Sequence, residues 1–105
     1  HVSTLSFKDL LLSAKKMMKD DARFAVVLPY YESRLFIKEA ENAGLYLQKE
    51  FLISPIEGKE PNRVNMQFRL SKNDDVVTEL FTIRNKDYSY TEQYKLFLRD
   101  YYLDF

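Results

Sequence analysis

Residues Arg23–Leu47 read RFAVVLPYYESRLFIKEAENAGLYL, and this stretch decides the fold. Phe24-Ala25-Val26-Val27-Leu28 is an unbroken apolar run that Pro29 stops. A short run of this kind, bounded by turn signals, predicts a strand buried on both faces. After a Tyr30-Tyr31 loop, Leu35, Phe36, Ile37, Ala40 and Ala43 recur at helical spacing. Gly44 stands where a helix C-terminus needs a left-handed residue, and Leu45 begins a second alternation. The expected unit is strand, helix, strand. Such units build open parallel sheets, whose ligand crevices lie at the carboxyl ends of the strands.

Upstream, Ser6 and Asp9 have the spacing of a capping box, and Leu5 with Leu10 that of a hydrophobic staple. Phe7, Leu10, Leu11, Ala14, Met17 and Met18 then form the apolar stripe of a first helix. A helix ahead of any strand is an unusual opening for an α/β domain and predicts preceding chain. Downstream, Leu45–Ser54 reads as a long strand ended by Pro55, with Leu45, Leu47, Phe51 and Ile53 on one face and Lys49 interrupting them. Ile56–Asn62 is a polar loop. Arg63–Leu70 alternates strictly, with Val64, Met66, Phe68 and Leu70 on its apolar face. Val76–Arg84 is a last strand, close enough to Arg63–Leu70 for an antiparallel hairpin. Tyr94, Phe97, Leu98 and Tyr101 mark the docked face of a closing helix. The expected order is helix-strand-helix-strand-strand-strand-helix, a single partial α/β domain over residues 1–105. Its buried first strand calls for a neighbour that the preceding residues do not supply.

Composition narrows the chemistry. The 105 residues carry 16 basic and 16 acidic side chains, so no overall basic excess marks a dedicated nucleic-acid module, and any such contact must be a local patch. There is no cysteine and a single histidine, His1, which leaves no disulfide framework and no set of ligands for zinc. No window has the length of a membrane span and no signal-peptide pattern opens the chain, so a cytoplasmic protein without membrane contact is expected. The two glycines, Gly44 and Gly58, stand apart, and neither forms a Gly-rich turn after a strand that would cradle a nucleotide cofactor. The Asp20-Asp21 and Asp74-Asp75 pairs sit in expected turns and are solvated.

Five residues are the candidate binding set. Pro29, Tyr30 and Tyr31 lie at the carboxyl end of a strand, where two adjacent tyrosines can stack on a base. Lys59 and Arg63 flank the polar loop and can contact phosphate.

The motifs LSFKDLL, RFAVVLPY, AGLYL, EPNRV and YTEQYKLFLRDYYL, in that order, resemble the C-terminal portion of a bacterial family of tRNA adenine-N6 methyltransferases, the valine-tRNA family. The resemblance implies a doubly wound, S-adenosylmethionine-dependent enzyme that methylates N6 of an adenine in the anticodon loop. Its cofactor-binding Gly-rich loop and its Asn-Pro-Pro-Tyr catalytic tetrapeptide are absent from this chain; Pro29-Tyr30 is not that tetrapeptide, since Leu28 precedes it. The resemblance thus implies no catalytic, cofactor or metal residue here, and a substrate-side half that is inactive alone and binds no cofactor. His1–Thr4 would border the target nucleotide. The implied partners are tRNA, the missing N-terminal half and, through the open edge of strand 24–28, a second copy. The alternatives are a stand-alone α+β interaction module for a protein or RNA, or a regulatory subunit completing a two-piece methyltransferase.

Overall fold

The computed structural model describes residues 6–100; the Leu5–Leu10 staple, His1–Thr4 and Tyr101 lie outside them in whole or part. The chain order is α1 (Phe7–Met17), β1 (Phe24–Pro29), α2 (Tyr30–Asn42), β2 (Tyr46–Ile56), β3 (Arg63–Arg69), β4 (Val77–Arg84) and α3 (Glu92–Leu98). This is the expected order, in an α/β domain with one mixed sheet.

The sheet runs β1-β3-β2-β4. β3 is antiparallel to β1 and β2, whereas β4 is parallel to β2, so β1, β2 and β4 all point the same way. Two expectations change. The expected hairpin of the last two strands does not form: β3 pairs with β1 and β2, and β4 crosses to the far side of β2. The antiparallel hairpin is instead β2–β3, closed by the 57–62 loop. In addition, β1 and β2 are parallel but not neighbours, because β3 fills the space between them. Among the described residues β1 is an edge strand, with Ala25 exposed and Val27 55% exposed, so it is not buried on both faces.

A bulge explains a further difference. The β2–β3 register slips between Leu47 and Lys49, which leaves Gln48 without a partner. Leu47 pairs with Phe68, Glu50 with Met66 and Leu52 with Val64. Leu47, Glu50 and Leu52 therefore share the helix-covered face, while Lys49, Phe51 and Ile53 turn to the other. The expected single face of Leu45, Leu47, Phe51 and Ile53 is split, and a glutamate enters the apolar side. Pro55 does not end β2, because the ladder to β3 has already stopped at Ile53 and no β3 carbonyl needs its missing N–H.

The core lies between α1, α2 and one sheet face, where Leu11, Phe36, Ala40, Leu45, Val64, Met66 and Phe68 are fully buried. The strict alternation of β3 is thus borne out. Phe36 sits at the centre, its ring 5.0 Å from Phe7, 6.4 Å from Phe24 and 5.5 Å from Phe68. On the other face Phe81 meets Phe51, Tyr94 and Phe97, so α3 docks opposite α1 and α2. Met17, expected in the α1 stripe, is 85% exposed.

Local caps fix the helices. Ser6 accepts the Asp9 N–H and Thr91 that of Tyr94. At the end of α2, Gly44 takes φ 87°, and Lys15 donates through Nζ to the Ala43 carbonyl at 2.9 Å, tying α1 to α2. A Cβ on Gly44 would stand 2.7 Å from that Nζ. Gly44→Ala is therefore expected to lower the thermal midpoint by roughly 5–10 °C, since left-handed strain costs about 1–2 kcal/mol and the Lys15 bond must yield. An unchanged melting curve would contradict this cap.

Candidate functional site

Because β1, β2 and β4 are parallel, their carboxyl ends line up along one edge of the sheet. Pro29 is opposite Arg63, Arg63 is opposite Ile53, and Ile56 is opposite Arg84. Three strand spacings put β1 and β4 about 14 Å apart across the sheet, with β4 running on past the level of Pro29, which the register places at Phe81, and with the 57–62 loop between them.

The structure brings the expected residues together on this rim. No loop separates β1 from α2: Pro29 ends the strand and caps the helix, and Tyr30 and Tyr31 are its first two residues. The expected Tyr30-Tyr31 loop is thus corrected to a first helical turn. Proline suits that junction, since its extended ψ of 151° leads out of a strand and its fixed φ into a helix. The Tyr30 N–H donates to the Asn62 carbonyl at 3.1 Å, and Asn62 N–H to the Ile53 carbonyl at 2.9 Å, which binds the β1–α2 junction to the loop. Ser54 Oγ, buried, stands 2.9 Å from the Ile56 carbonyl and 2.6 Å from that of Lys59, and fixes the loop from below. Lys59 on the loop and Arg63 at the start of β3 are exposed, and Tyr31 in the first turn of α2 is 74% exposed.

Beneath Tyr30 lies a polar network that no sequence pattern marks. Glu50, 6% exposed, forms an ion pair with Arg34 and accepts from Thr78 Oγ1 at 3.1 Å. The Arg34 guanidinium lies 4.8 Å from the centroid of the Tyr30 ring, and its Nε donates to Ser33 Oγ at 3.1 Å. Ser33 in turn donates to the Tyr30 carbonyl. A buried carboxylate is tolerated only when paired and hydrogen-bonded, as here. The network joins α2, β2 and β4 and holds Tyr30 from its inner side.

The turn after β4 completes the rim. Glu57 N–H donates to the Arg84 carbonyl at 2.8 Å, and Lys86 N–H to the Glu57 carboxylate at 3.4 Å. The expected polar connector Asn85–Ser89 is a tight turn, closed by an Arg84–Tyr90 bridge. In it Ser89, through its hydroxyl and then its N–H, holds the Asp87 carboxyl below its ordinary value. A lowered folded value means that this contribution to the turn is present above the unfolded value and lost as pH falls through the folded one.

The rim offers aromatic rings and cations, a combination suited to stacking on bases and holding phosphates. Among the described residues Arg34–Glu50 is the sole ion pair, which leaves Lys59, Arg63 and Lys86 without carboxylate partners. Glu57, Glu60 and Asp87 share the rim and keep its net charge small. Two hollows, of about 160 and 230 Å³, lie away from it, one lined by Ile37, Tyr46 and Lys72 and the other between α1 and α2. Neither reaches the size usual for a ligand pocket.

No family model matches the chain. A tRNA1(Val) (adenine(37)-N6)-methyltransferase of Trichodesmium erythraeum is 30% identical over 105 residues, which is all of this chain and 44% of that protein. Proteins of the same name from Phocaeicola vulgatus and Proteus mirabilis are each 30% identical, over 99% and 98% of this chain and 44% and 42% of their own lengths. The chain spans less than half the length of these relatives. It is therefore related, over its whole length, to the tRNA1(Val) (adenine(37)-N6)-methyltransferases.

Proposed function

We propose that the chain is the C-terminal, substrate-side part of an S-adenosylmethionine-dependent, doubly wound methyltransferase that modifies N6 of an adenine in a tRNA anticodon loop, in the cytoplasm. The observation that carries this reading is similarity along the entire chain to relatives bearing that name. The rim supports it, because Tyr30, Tyr31, Lys59 and Arg63 converge at the carboxyl ends of parallel strands, where α/β sheets bind ligands. In this role Tyr31 stacks on an unpaired base, Tyr30 shapes the wall beside it, and Lys59 and Arg63 take phosphates.

The cofactor does not fit the residues in hand. β1 passes into α2 through Pro29-Tyr30, and Gly44 and Gly58 end a helix and turn a polar loop, so among the described residues no strand leads into a Gly-rich cradle. The methyl donor and the catalytic tetrapeptide belong, in this reading, to sequence outside this chain. The open edge of β1 supports such a neighbour, since an apolar strand edge calls for pairing.

The test is a methyl-transfer assay on the protein as its gene encodes it, with labelled S-adenosylmethionine and unmodified tRNA. The expected product is N6-methyladenosine in the tRNA, formed by the encoded protein and not by residues 1–105 alone. Tyr31→Ala is expected to raise KM for tRNA roughly tenfold, the loss of about one stacked base. Absence of methyl transfer by the encoded protein, or transfer by residues 1–105 alone, would contradict the proposal.

A further inference from the structure

Tyr88 is the sole non-glycine residue with positive φ among the described residues, at 72°. A left-handed conformation costs a residue with a Cβ roughly 1–2 kcal/mol, and glycine avoids that cost. In a fold stripped of function, glycine or asparagine would be the residue of choice at this place in the turn. The tyrosine ring does not offset the strain by packing: it is 69% exposed, and among the described residues it has no ring contact.

The surrounding turn over-determines this conformation. Tyr88 N–H donates to the Asn85 carbonyl at 2.9 Å, and its own carbonyl accepts from Arg84 Nη1 at 2.7 Å. Arg84 Nη2 donates to the Tyr90 hydroxyl at 2.9 Å, and the guanidinium lies 4.2 Å from the Tyr90 ring centroid. Asn85 N–H donates to the Ser89 carbonyl at 2.8 Å. Arg84 is thus spent on rigidifying the turn, without a carboxylate partner among the described residues, and Lys86 stands exposed next to it. A strained residue held by its surroundings is a mark of function when its side chain faces solvent.

We propose that Tyr88 is a base-stacking platform for a second unpaired nucleotide of the RNA, with Lys86 beside it for the phosphate. The inference rests on the proposed function and extends the same rim from β1 to β4. Tyr30 and Tyr31 follow β1 and Tyr88 follows β4, the two outer strands of the sheet, which lie about 14 Å apart across it, so the aromatic set suits more than one unpaired base. Arg84 is a positioning residue, acting through the Tyr88 peptide.

The test uses the encoded protein and a labelled RNA stem-loop with adenine in its unpaired loop, read by fluorescence anisotropy together with thermal melting. Tyr88→Gly is expected to weaken binding roughly tenfold, while melting no lower than the parent because the strain is released. Tyr88→Phe is expected to bind like the parent. A purely structural role predicts the opposite pairing, with stability altered and affinity kept. Parent-like binding by Tyr88→Gly, or equal loss in Tyr88→Phe, overturns the inference. If Tyr31→Ala alone loses binding, the inference fails and the proposed function stands; if the parent does not bind the stem-loop, both fail.

Discussion

Phe36→Ala is expected to destabilise the domain by about 3–5 kcal/mol, the range for removing a fully buried phenylalanine. Phe36 has no exposed surface, and its ring meets Phe7 of α1, Phe24 of β1 and Phe68 of β3. Its edge-to-face contacts with Phe7 and Phe68, at 82° and 67°, add to the loss beyond area alone. Small domains hold only about 5–15 kcal/mol in total, so this single truncation consumes a large share of it. Urea titration reads the effect as a lower midpoint with unchanged slope. Phe36→Leu, which keeps most of the volume, is expected to lose far less. A loss below about 1 kcal/mol in Phe36→Ala would mean that α1 and α2 do not close over the sheet through this residue.

Arg34→Met has the second large effect, roughly 2–4 kcal/mol, for a different reason. The change leaves the Glu50 side chain, 8% exposed, with Thr78 as its remaining partner. What is lost is not the strength of the pair but the solvation that the stranded carboxylate no longer replaces. The asymmetry gives a direct check: Arg34→Met combined with Glu50→Leu is expected to recover most of the stability, since an apolar pair needs no partner. A double variant no more stable than Arg34→Met alone would contradict the burial of Glu50. The same pair of variants tests the bulge at Gln48, because without that slip residue 50 would turn away from α2.

The seven elements were legible because each carries a local signal: the apolar run before Pro29, the helical spacing of Phe36 and Ala40, the alternation of Val64, Met66 and Phe68. Their pairing was not. Alternation reports which face of a strand is covered, whereas neighbours are set by edges, which side-chain patterns do not encode. That is why β3, half-polar by sequence, lies inside the sheet while the apolar β1 lies at its margin. Gln48 gave no sign of its bulge, since a polar residue in a half-buried strand is ordinary. The displacement of Phe51 and the inward turn of Glu50 both follow from it.

The rim divides in the same way. Pro29, Tyr30, Tyr31, Lys59 and Arg63 were identifiable from their places next to strand ends, and the Tyr30–Asn62 hydrogen bond joins their two segments. Arg34 and Glu50 were hidden because their pairing crosses 16 residues and depends on the bulge. Tyr88 sat in a stretch that reads as a polar connector, and its left-handed backbone is a property of the folded turn. The missing signal was topological: once β4 is parallel to β2, its carboxyl end and the turn behind it must reach the same edge as Tyr31.

The central claim, that this edge faces RNA, is tested most directly by photo-crosslinking the encoded protein to a tRNA anticodon stem-loop and mapping the linked peptides by mass spectrometry. The account predicts crosslinks at Tyr30 and Tyr31, in the 57–63 loop and at Tyr88. Crosslinks confined to the opposite end of the sheet, around residues 71–76 or the start of α2's partner strand at Tyr46, would contradict it.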